Sequence, residues 1–320
     1  MDTSQKKQSI QRFLAERAAG SEHGLVVMLD RFLDRGAGFQ EFVGRDCHSV
    51  DVCLKHPAFT DVCRTPRLVH IRPEDSDLIA RVLDLALREQ AFPLQEAAAG
   101  LSVAGWMETD APLEVLARHF AVTMEQRLGT TGQLRVLRIS DRRVLEFVWA
   151  LLDIPQRRSL LGPITHWHFI DRRDEIQSLA LKDGDQRHEV SGQRLRLDHA
   201  QWLELEQCQQ VQEMARGWKG MVDVLPKDYL RQLRAALASA KRLGLSVNHD
   251  IQLLAAYILQ IHPLLASHPT VVALVERSVA ERSPLMDALA EIPDPEGWDQ
   301  IKSELGPVRF PYFAFDTAQT

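Results

Sequence analysis

Apolar positions in the first 200 residues follow two different spacings. Short apolar runs of strand length occur at 25–30, 68–72, 101–107, 133–140, 164–170, 176–181 and 195–197. Between these runs, apolar side chains three and four positions apart, the spacing of one helix face, occur over 74–90, 111–128 and 141–152. Strands that alternate with helices predict an α/β lobe, a mixed sheet with flanking helices, over residues 1–190.

The remaining residues, 191–320, show helical spacing up to an aromatic tail. Helical patterns cover 199–218 and 226–243, and Asn248 can cap a further helix. Later helix starts are marked by a capping residue with proline one or two positions on, at Ser267, Ser283 and Asp294. The pattern predicts an all-α second lobe. The tail, 306–320, is expected to pack on a lobe or to contact a partner.

Composition narrows the class of protein. The chain has 320 residues with 44 acidic and 38 basic side chains, a formal net charge of −6 and four cysteines. The longest apolar run has seven residues, Leu253 to Leu259, whereas a membrane span needs about 20. The N-terminus lacks the apolar stretch of a signal peptide. We therefore expect a cytoplasmic protein that neither spans a membrane nor binds nucleic acid broadly.

Two groups of potential metal ligands are present. Cys47, Cys53 and Cys63 lie within 17 residues together with His56, but their spacings differ from the paired CxxC pattern of structural zinc sites. Buried thiols are the favoured interpretation, and a metal at these residues stays an open alternative. His166 and His168 flank a tryptophan in a predicted strand and so share one face, where packing is favoured over metal binding.

Motifs for catalysis and for cofactor binding are missing from the sequence. It contains no GxSxG elbow, no phosphate-binding GxxxxGK[ST] loop, no GxGxxG and no HExxH. Ser102 lies within a predicted strand rather than at its end. His249 and Asp250 form the best acid–base pair for a cryptic hydrolase, although His249 is expected at a helix start. We favour a binding protein that is not an enzyme and has no cofactor.

Charge is distributed unevenly along the chain. Residues 135–173 carry eight arginines against four acidic residues, and the last helices carry an acidic face. The acidic face comprises Asp287, Glu291, Asp294, Glu296, Asp299 and Glu304. Solvated surface is the simpler interpretation of both regions, and orientation of a protein partner is the functional one.

One set of positions lies between Gly100 and Asp174, at a strand–helix junction and in the strand that follows it: Arg138, Asp141, Arg143, Val144, Leu145, Leu161, Gly162, Pro163 and Trp167. In these positions the stretch resembles the adaptor family of type VI secretion systems. Earlier pieces of the resemblance are the strand at 25–30 and the entry Thr65-Pro66-Arg67-Leu68-Val69. Ser140 stands where the family usually has an aromatic residue, and Arg142 replaces its usual proline. Asp141 can still cap the following helix.

The resemblance implies a chaperone that binds a toxic effector and loads it onto the VgrG spike. It also implies that the first lobe is shared machinery and that the helical lobe recognises the particular effector. The candidate protein-binding residues are Arg138, Arg142, Arg143, Trp167, Asp287, Glu291, Trp298, Tyr312 and Phe313. A purely structural role at a strand–helix junction is the favoured alternative for those near residue 140. An immunity protein that neutralises a toxin is the other binding alternative.

Overall fold

The structure is a computed structural model that describes residues 3–32, 48–92, 96, 100–128, 131–182 and 194–307. The chain forms two compact units, Met1–Cys208 and Gln209–Thr320. The predicted domain boundary after residue 190 stays a prediction. Within the described ranges, no helix has the length and apolar character needed to cross a membrane.

The first unit combines strands with helices on both sides of a sheet. Its strands are β1 (Leu25–Leu29), β2 (Ser49–Asp51), β3 (Arg67–Ile71), β4 (Val103–Glu108), β5 (Glu125–Arg127), β6 (Leu134–Val136), β7 (His166–Ile170) and β8 (Ile176–Leu179). Its helices are α1 (Thr3–Gly20), α2 (Ser76–Ala91), α3 (Leu113–Met124), α4 (Arg142–Leu151), α5 (Ile154–Leu161) and α6 (His199–Leu205).

Six strands form one sheet in the order β2-β3-β1-β4-β7-β8, and β5 and β6 form a separate ribbon. The α/β class of this unit is confirmed. One detail differs from the expectation of a mixed sheet, because every pairing is antiparallel. The β3–α2–β4 connection does join two strands that are parallel to each other, but β1 lies between them and is antiparallel to both.

The central strand β1 is apolar at every position because helices cover both faces of the sheet. Leu25, Val27 and Leu29 belong to a core shared with α1 and α2. Val26 and Met28 point the other way, into a core shared with α3, α4 and α5. The alternation places two separate hydrophobic layers on one five-residue strand.

Helix α1 is absent from the sequence prediction. Its buried side chains Ile10, Leu14 and Ala18 lie one turn apart, but charged and polar residues surround them. The stripe is narrow, and it is therefore weak as a hydrophobic pattern.

Other differences arise where the chain changes conformation within a predicted element. The helix predicted over 111–128 ends at Met124, because the next residues pair with β6. Its N-cap residue is Pro112. The strand predicted over 133–140 is reduced to Leu134–Val136. Residues 195–197 form no strand, although their side chains alternate between buried and exposed.

The second unit is helical, as predicted. Its helices are α7 (Cys208–Lys219), α8 (Tyr229–Arg242), α9 (Asn248–Gln260), α10 (Pro269–Glu281), α11 (Leu285–Leu289) and α12 (Glu296–Leu305), of which the first begins at the unit boundary. The single helix predicted over 199–218 is wrong, since a turn at 206–207 separates α6 from α7. Leu233, Leu237, Leu254 and Ile258 are buried where α8 packs against α9.

The predicted caps of the later helices are displaced by one residue. The N-cap positions are Val247, His268, Pro284 and Pro295, instead of Asn248, Ser267, Ser283 and Asp294. None of these four residues makes a side-chain cap hydrogen bond. In the first unit, by contrast, Asp141 accepts a hydrogen bond from the backbone N–H of Arg143, which confirms its predicted cap.

Gly105 permits the close pairing of β4 with β7, and its substitution tests that packing. Its φ is +145°, and an added Cβ would lie 2.2 Å from the carbonyl oxygen of His168. We expect Gly105→Ala to lower the free energy of unfolding by about 3 kcal/mol in urea titrations. Gly20→Ala is the control, because nothing lies within 4 Å of its added Cβ. Equal stabilities for the two variants would contradict the close contact.

Candidate functional site

A network of buried and half-buried charges joins the sheet to α2 and α4 in the first unit. We call it the carboxylate–arginine network. It consists of Asp30, Glu89, Glu96 and Asp141 with Arg138, Arg142, Arg143 and Arg172. Ionised groups removed from water are costly unless each is paired and hydrogen-bonded. The pairing of each member therefore decides whether this region is a reactive site or a structural one.

Asp30 and Arg138 form the first pair, just beyond the end of β1. The Nε and Nη2 of Arg138 donate to the two carboxylate oxygens of Asp30 at 2.8 and 2.9 Å, and Ser140 Oγ donates at 2.6 Å. The Arg138 guanidinium also lies 5.1 Å from the ring centre of Phe32. Burial opposes the charge of Arg138, but Asp30 outweighs it, and the pKa of Arg138 is raised.

Asp141 both caps α4 and binds the guanidinium of Arg143. Arg143 Nε and Nη2 donate to its carboxylate at 2.9 and 2.5 Å. Burial alone would raise the pKa of Asp141, but the hydrogen bonds from Arg143 and the charges of Arg143 and Arg138 lower it. Gly100 adjoins this pair, because a Cβ there would lie 2.9 Å from Arg143 Nη2.

Glu96 connects two arginines from different parts of the chain. Arg172 donates to both of its oxygens, at 2.7 and 2.6 Å, and Arg143 Nη1 donates at 3.0 Å. Burial opposes its ionisation, yet the two guanidinium groups hold the pKa of Glu96 below its ordinary value. The carboxylate is thus fixed as an anion rather than poised to exchange a proton at neutral pH.

Arg142 is buried and joins three elements. Its Nη2 donates to Ala86 O at 2.6 Å and its Nη1 donates to Val103 O at 2.8 Å, while Glu89 lies at 3.4 Å. Burial lowers the pKa of Arg142 despite the opposing charge of Glu89. Glu89 in turn accepts from the backbone N–H and the hydroxyl of Ser102. The hydrogen bonds between Ser102 and Glu89 therefore hold α2 against the start of β4.

Four of the predicted protein-binding residues lie in or beside this region. Arg142 and Trp167 are 2% and 0% exposed, and the side chains of Arg138 and Arg143 are 23% and 19% exposed. Trp167 packs edge-on against Phe120 at 5.4 Å between ring centres. Their side chains mainly bind other parts of the same unit. A role for any of them in partner binding stays a prediction.

The other predicted binding residues belong to the second unit or to its tail. Asp287 and Glu291 are exposed, and Glu291 forms an ion pair with Arg277. Trp298 is buried and packs against Tyr257 with 4.7 Å between ring centres. Tyr312 and Phe313 lie outside the described residues.

A hydrogen-bonded chain on the sheet was missed by the sequence reasoning. His168 Nδ1 lies 2.7 Å from Ser178 Oγ, and its Nε2 lies 2.8 Å from Glu108 Oε1. His166 stacks on His168 and contacts the same carboxylate, so the predicted shared face is correct. Burial outweighs Glu108 and lowers the pKa of His168, which keeps the ring neutral at pH 7. The side chain of His168 also packs against Phe13 of α1.

The candidate metal and acid–base groups do not assemble in the described ranges. Cys47 falls outside them, and the expectation of buried thiols is wrong for Cys53 and Cys63, which are exposed. No three ligands cluster within the ranges that are described. The fourth cysteine, Cys208, is buried, which raises its pKa to about 12 and makes the thiol unreactive.

The pair considered for hydrolysis is not aligned. His249 Nδ1 lies 3.7 Å from Asp250 Oδ1, beyond hydrogen-bond distance, and the His249 side chain is 74% exposed. Asp250 instead accepts a hydrogen bond from the backbone N–H of Leu285 at 3.3 Å, at the start of α11.

Comparison with known proteins gives one result. A family model described as "Domain of unknown function (DUF4123)" matches residues 65–159, which is less than half of the chain. No curated protein and no solved structure matches the chain. The matched segment begins before β3 and ends within α5. It therefore contains six members of the carboxylate–arginine network, while Asp30 and Arg172 lie on either side of it.

Arg142 offers a direct test of the network. Lysine keeps the positive charge but cannot direct two planar N–H groups at Ala86 O and Val103 O. We expect Arg142→Lys to cost about 2 kcal/mol of unfolding free energy, measured by urea titration with circular dichroism. Arg118→Lys, at an exposed position of α3, is the matched control and should change stability little. Equal losses in both variants would refute the structural role of Arg142.

Acid should weaken the first unit through Glu96 and Asp141. The pKa of each carboxyl is lower in the folded protein than in the unfolded chain, so the unfolded chain binds more protons near pH 4. The stability that these two carboxylates contribute is present above that pH, and it is lost as the pH falls through their pKa values in the folded protein. Burial raises the pKa of Asp171, which has the opposite sign and offsets part of the loss.

The measurement is the urea midpoint between neutral pH and pH 3. Glu96→Gln should be less stable at neutral pH, because Arg172 and Arg143 lose their anion, and should show a shallower fall with acid. An unchanged acid slope in that variant would show that Glu96 is not one of the groups responsible.

Proposed function

We propose that this protein is a non-enzymatic adaptor that binds a type VI secretion effector and loads it onto the VgrG spike. The observation that carries the proposal is the family match over residues 65–159, because it coincides with the residues that resemble such adaptors. Arg138, Asp141 and Arg143 belong to both. The proposed adaptor acts in the cytoplasm by stoichiometric binding and remains there after the effector has left.

The geometry of the first unit supports binding rather than chemistry. The charged side chains of the carboxylate–arginine network are engaged with each other, and the pKa shifts of Glu96 and Asp141 hold both as anions. A general acid or base needs a pKa near the working pH. The network instead fixes the relative positions of α2, β4 and α4. It would give a partner a rigid surface and so reduce the entropy lost on binding.

The second unit carries side chains suited to recognition. Met221, Val224, Val247 and Met286 are each more than half exposed, although large apolar side chains are usually covered. Asp287 adjoins Met286 on α11. Apolar anchors next to charged residues are typical of protein interfaces. We therefore assign recognition of the effector to this unit and contact with the spike to the first unit.

The test is recovery of partners from native cells with a tagged chain. We expect the effector and a VgrG protein to be recovered together, and deletion of the gene to stop secretion of the effector while the producing cell stays viable. An immunity protein would instead be recovered with a toxin alone, and its deletion would poison the cell. Recovery of neither partner would refute the adaptor proposal.

A surface variant sharpens the assignment of the two units. Asp287→Lys reverses an exposed charge on α11, so less effector should be recovered while VgrG recovery stays unchanged. Asp110→Lys, an exposed change in the first unit, is the matched control. Thermal unfolding of both variants should match that of the unmodified protein. Normal effector recovery with Asp287→Lys would contradict recognition through α11.

A further inference from the structure

A cleft of about 560 Å³ opens in the first unit on the side of the sheet that carries α3. It lies between the segment around Lys55, the end of α3, the ribbon strand β5 and the extended segment 194–197. In that last segment Arg194 and Arg196 are exposed, whereas Leu195 and Leu197 are buried in the core. Exposed charged side chains thus alternate with buried apolar ones along this segment, as they do along a strand with one buried face.

The charges around the cleft are strongly one-sided. Lys55, Arg127, Arg194 and Arg196 line it, and all four are exposed. Among the described residues, the side chains of Lys55, Arg194 and Arg196 have no ion-pair or hydrogen-bond partner. The one carboxylate in the lining, Glu125, already accepts hydrogen bonds from the backbone N–H groups of residues 55 and 56. The cleft is therefore complementary to an acidic ligand.

The residues of strand β5 line the same cleft. Leu128 N donates to Gln133 O at 3.0 Å, and Leu137 N donates to Met124 O at 2.7 Å, so even-numbered residues of this segment bond toward β6. In an antiparallel ladder the alternate residues turn their N–H and C=O to the opposite edge. Arg127 therefore directs its backbone groups away from β6. β5 has no second partner strand among the described residues.

We propose that this cleft binds an extended acidic segment of a partner protein, in which acidic residues alternate with apolar ones. The segment lies along the edge of β5 that no described strand occupies, its carboxylates contact Arg194, Arg196 and Lys55, and its apolar side chains face the apolar base of the cleft. Such strand addition gives affinity through main-chain hydrogen bonds and specificity through alternate side chains. The proposal rests on the proposed function only for the identity of the partner, which would be the spike protein.

The test uses a fluorescein-labelled octapeptide of alternating glutamate and valine, titrated with the full chain and followed by anisotropy. We expect saturable binding that weakens as salt is added. Arg194→Glu combined with Arg196→Glu should weaken binding roughly tenfold or more, since two attractive contacts become repulsive. Arg12→Glu combined with Arg88→Glu is the matched control, on exposed positions of α1 and α2 across the sheet, and should bind normally.

Two further peptides separate the contribution of charge from the contribution of apolar side chains. A lysine–valine octapeptide should not bind, and a glutamate–serine octapeptide should bind more weakly because it lacks apolar side chains. Absence of saturable binding up to about 1 mM peptide would overturn the proposal, as would equal affinity for the reversed-charge variant. If the glutamate–serine peptide binds as tightly as the glutamate–valine peptide, the cleft is a general anion site and the proposal is overturned. None of these results depends on recovery of an effector or a spike protein from cells.

Discussion

The burial of Arg142 is the constraint on which the rest of the first unit depends. Its guanidinium lies where α2, β4 and α4 meet, and it satisfies the carbonyl groups of Ala86 and Val103 at once. A guanidinium has five donors in a fixed plane, which makes it suited to joining two carbonyl groups and a carboxylate. The helices on one face of the sheet are thereby connected to those on the other through a polar contact that tolerates little displacement.

The surrounding ion pairs are better understood as a source of specificity than of stability. Two charges removed from water regain little net free energy even when they are well paired. What they penalise is misalignment, because a shift of α4 would separate Arg142 from Glu89 and Arg143 from Glu96. This gives a physical reason for the coincidence between the family match and the network. The polar contacts of these matched residues are directed inward, toward other parts of the same unit.

Much of the architecture could be predicted from the sequence, and most of the network could not. β1, β4 and α2 follow from apolar spacing, and Asp141 could be identified as a cap because its partner N–H is two residues away. Asp30 lies 108 residues from Arg138 and Glu96 lies 76 from Arg172, so no local pattern pairs them. The arginine-rich stretch 135–173 was visible, but its acidic partners are scattered through earlier segments.

The antiparallel pairing of the strands could not be predicted from local patterns, for a similar reason. The connection β3–α2–β4 joins two parallel strands, as its length and composition suggest, but β1 lies between them and pairs with each in the antiparallel sense. The basic cleft was equally hidden, since Lys55, Arg127 and Arg194 come from three distant parts of the chain.

The strand order also has a consequence for synthesis on the ribosome. β1 occupies the middle of the sheet, although it is the first strand to be made, and its neighbour β4 is completed only at Glu108. Asp30 can pair with Arg138 only after residue 138 has been synthesised, and Glu96 can pair with Arg172 only after residue 172 has been synthesised. Nearly the whole first unit must therefore leave the exit tunnel before its interior closes. Until then, the five apolar residues of β1 remain uncovered in the nascent chain, and uncovered apolar segments of this kind are prone to aggregate.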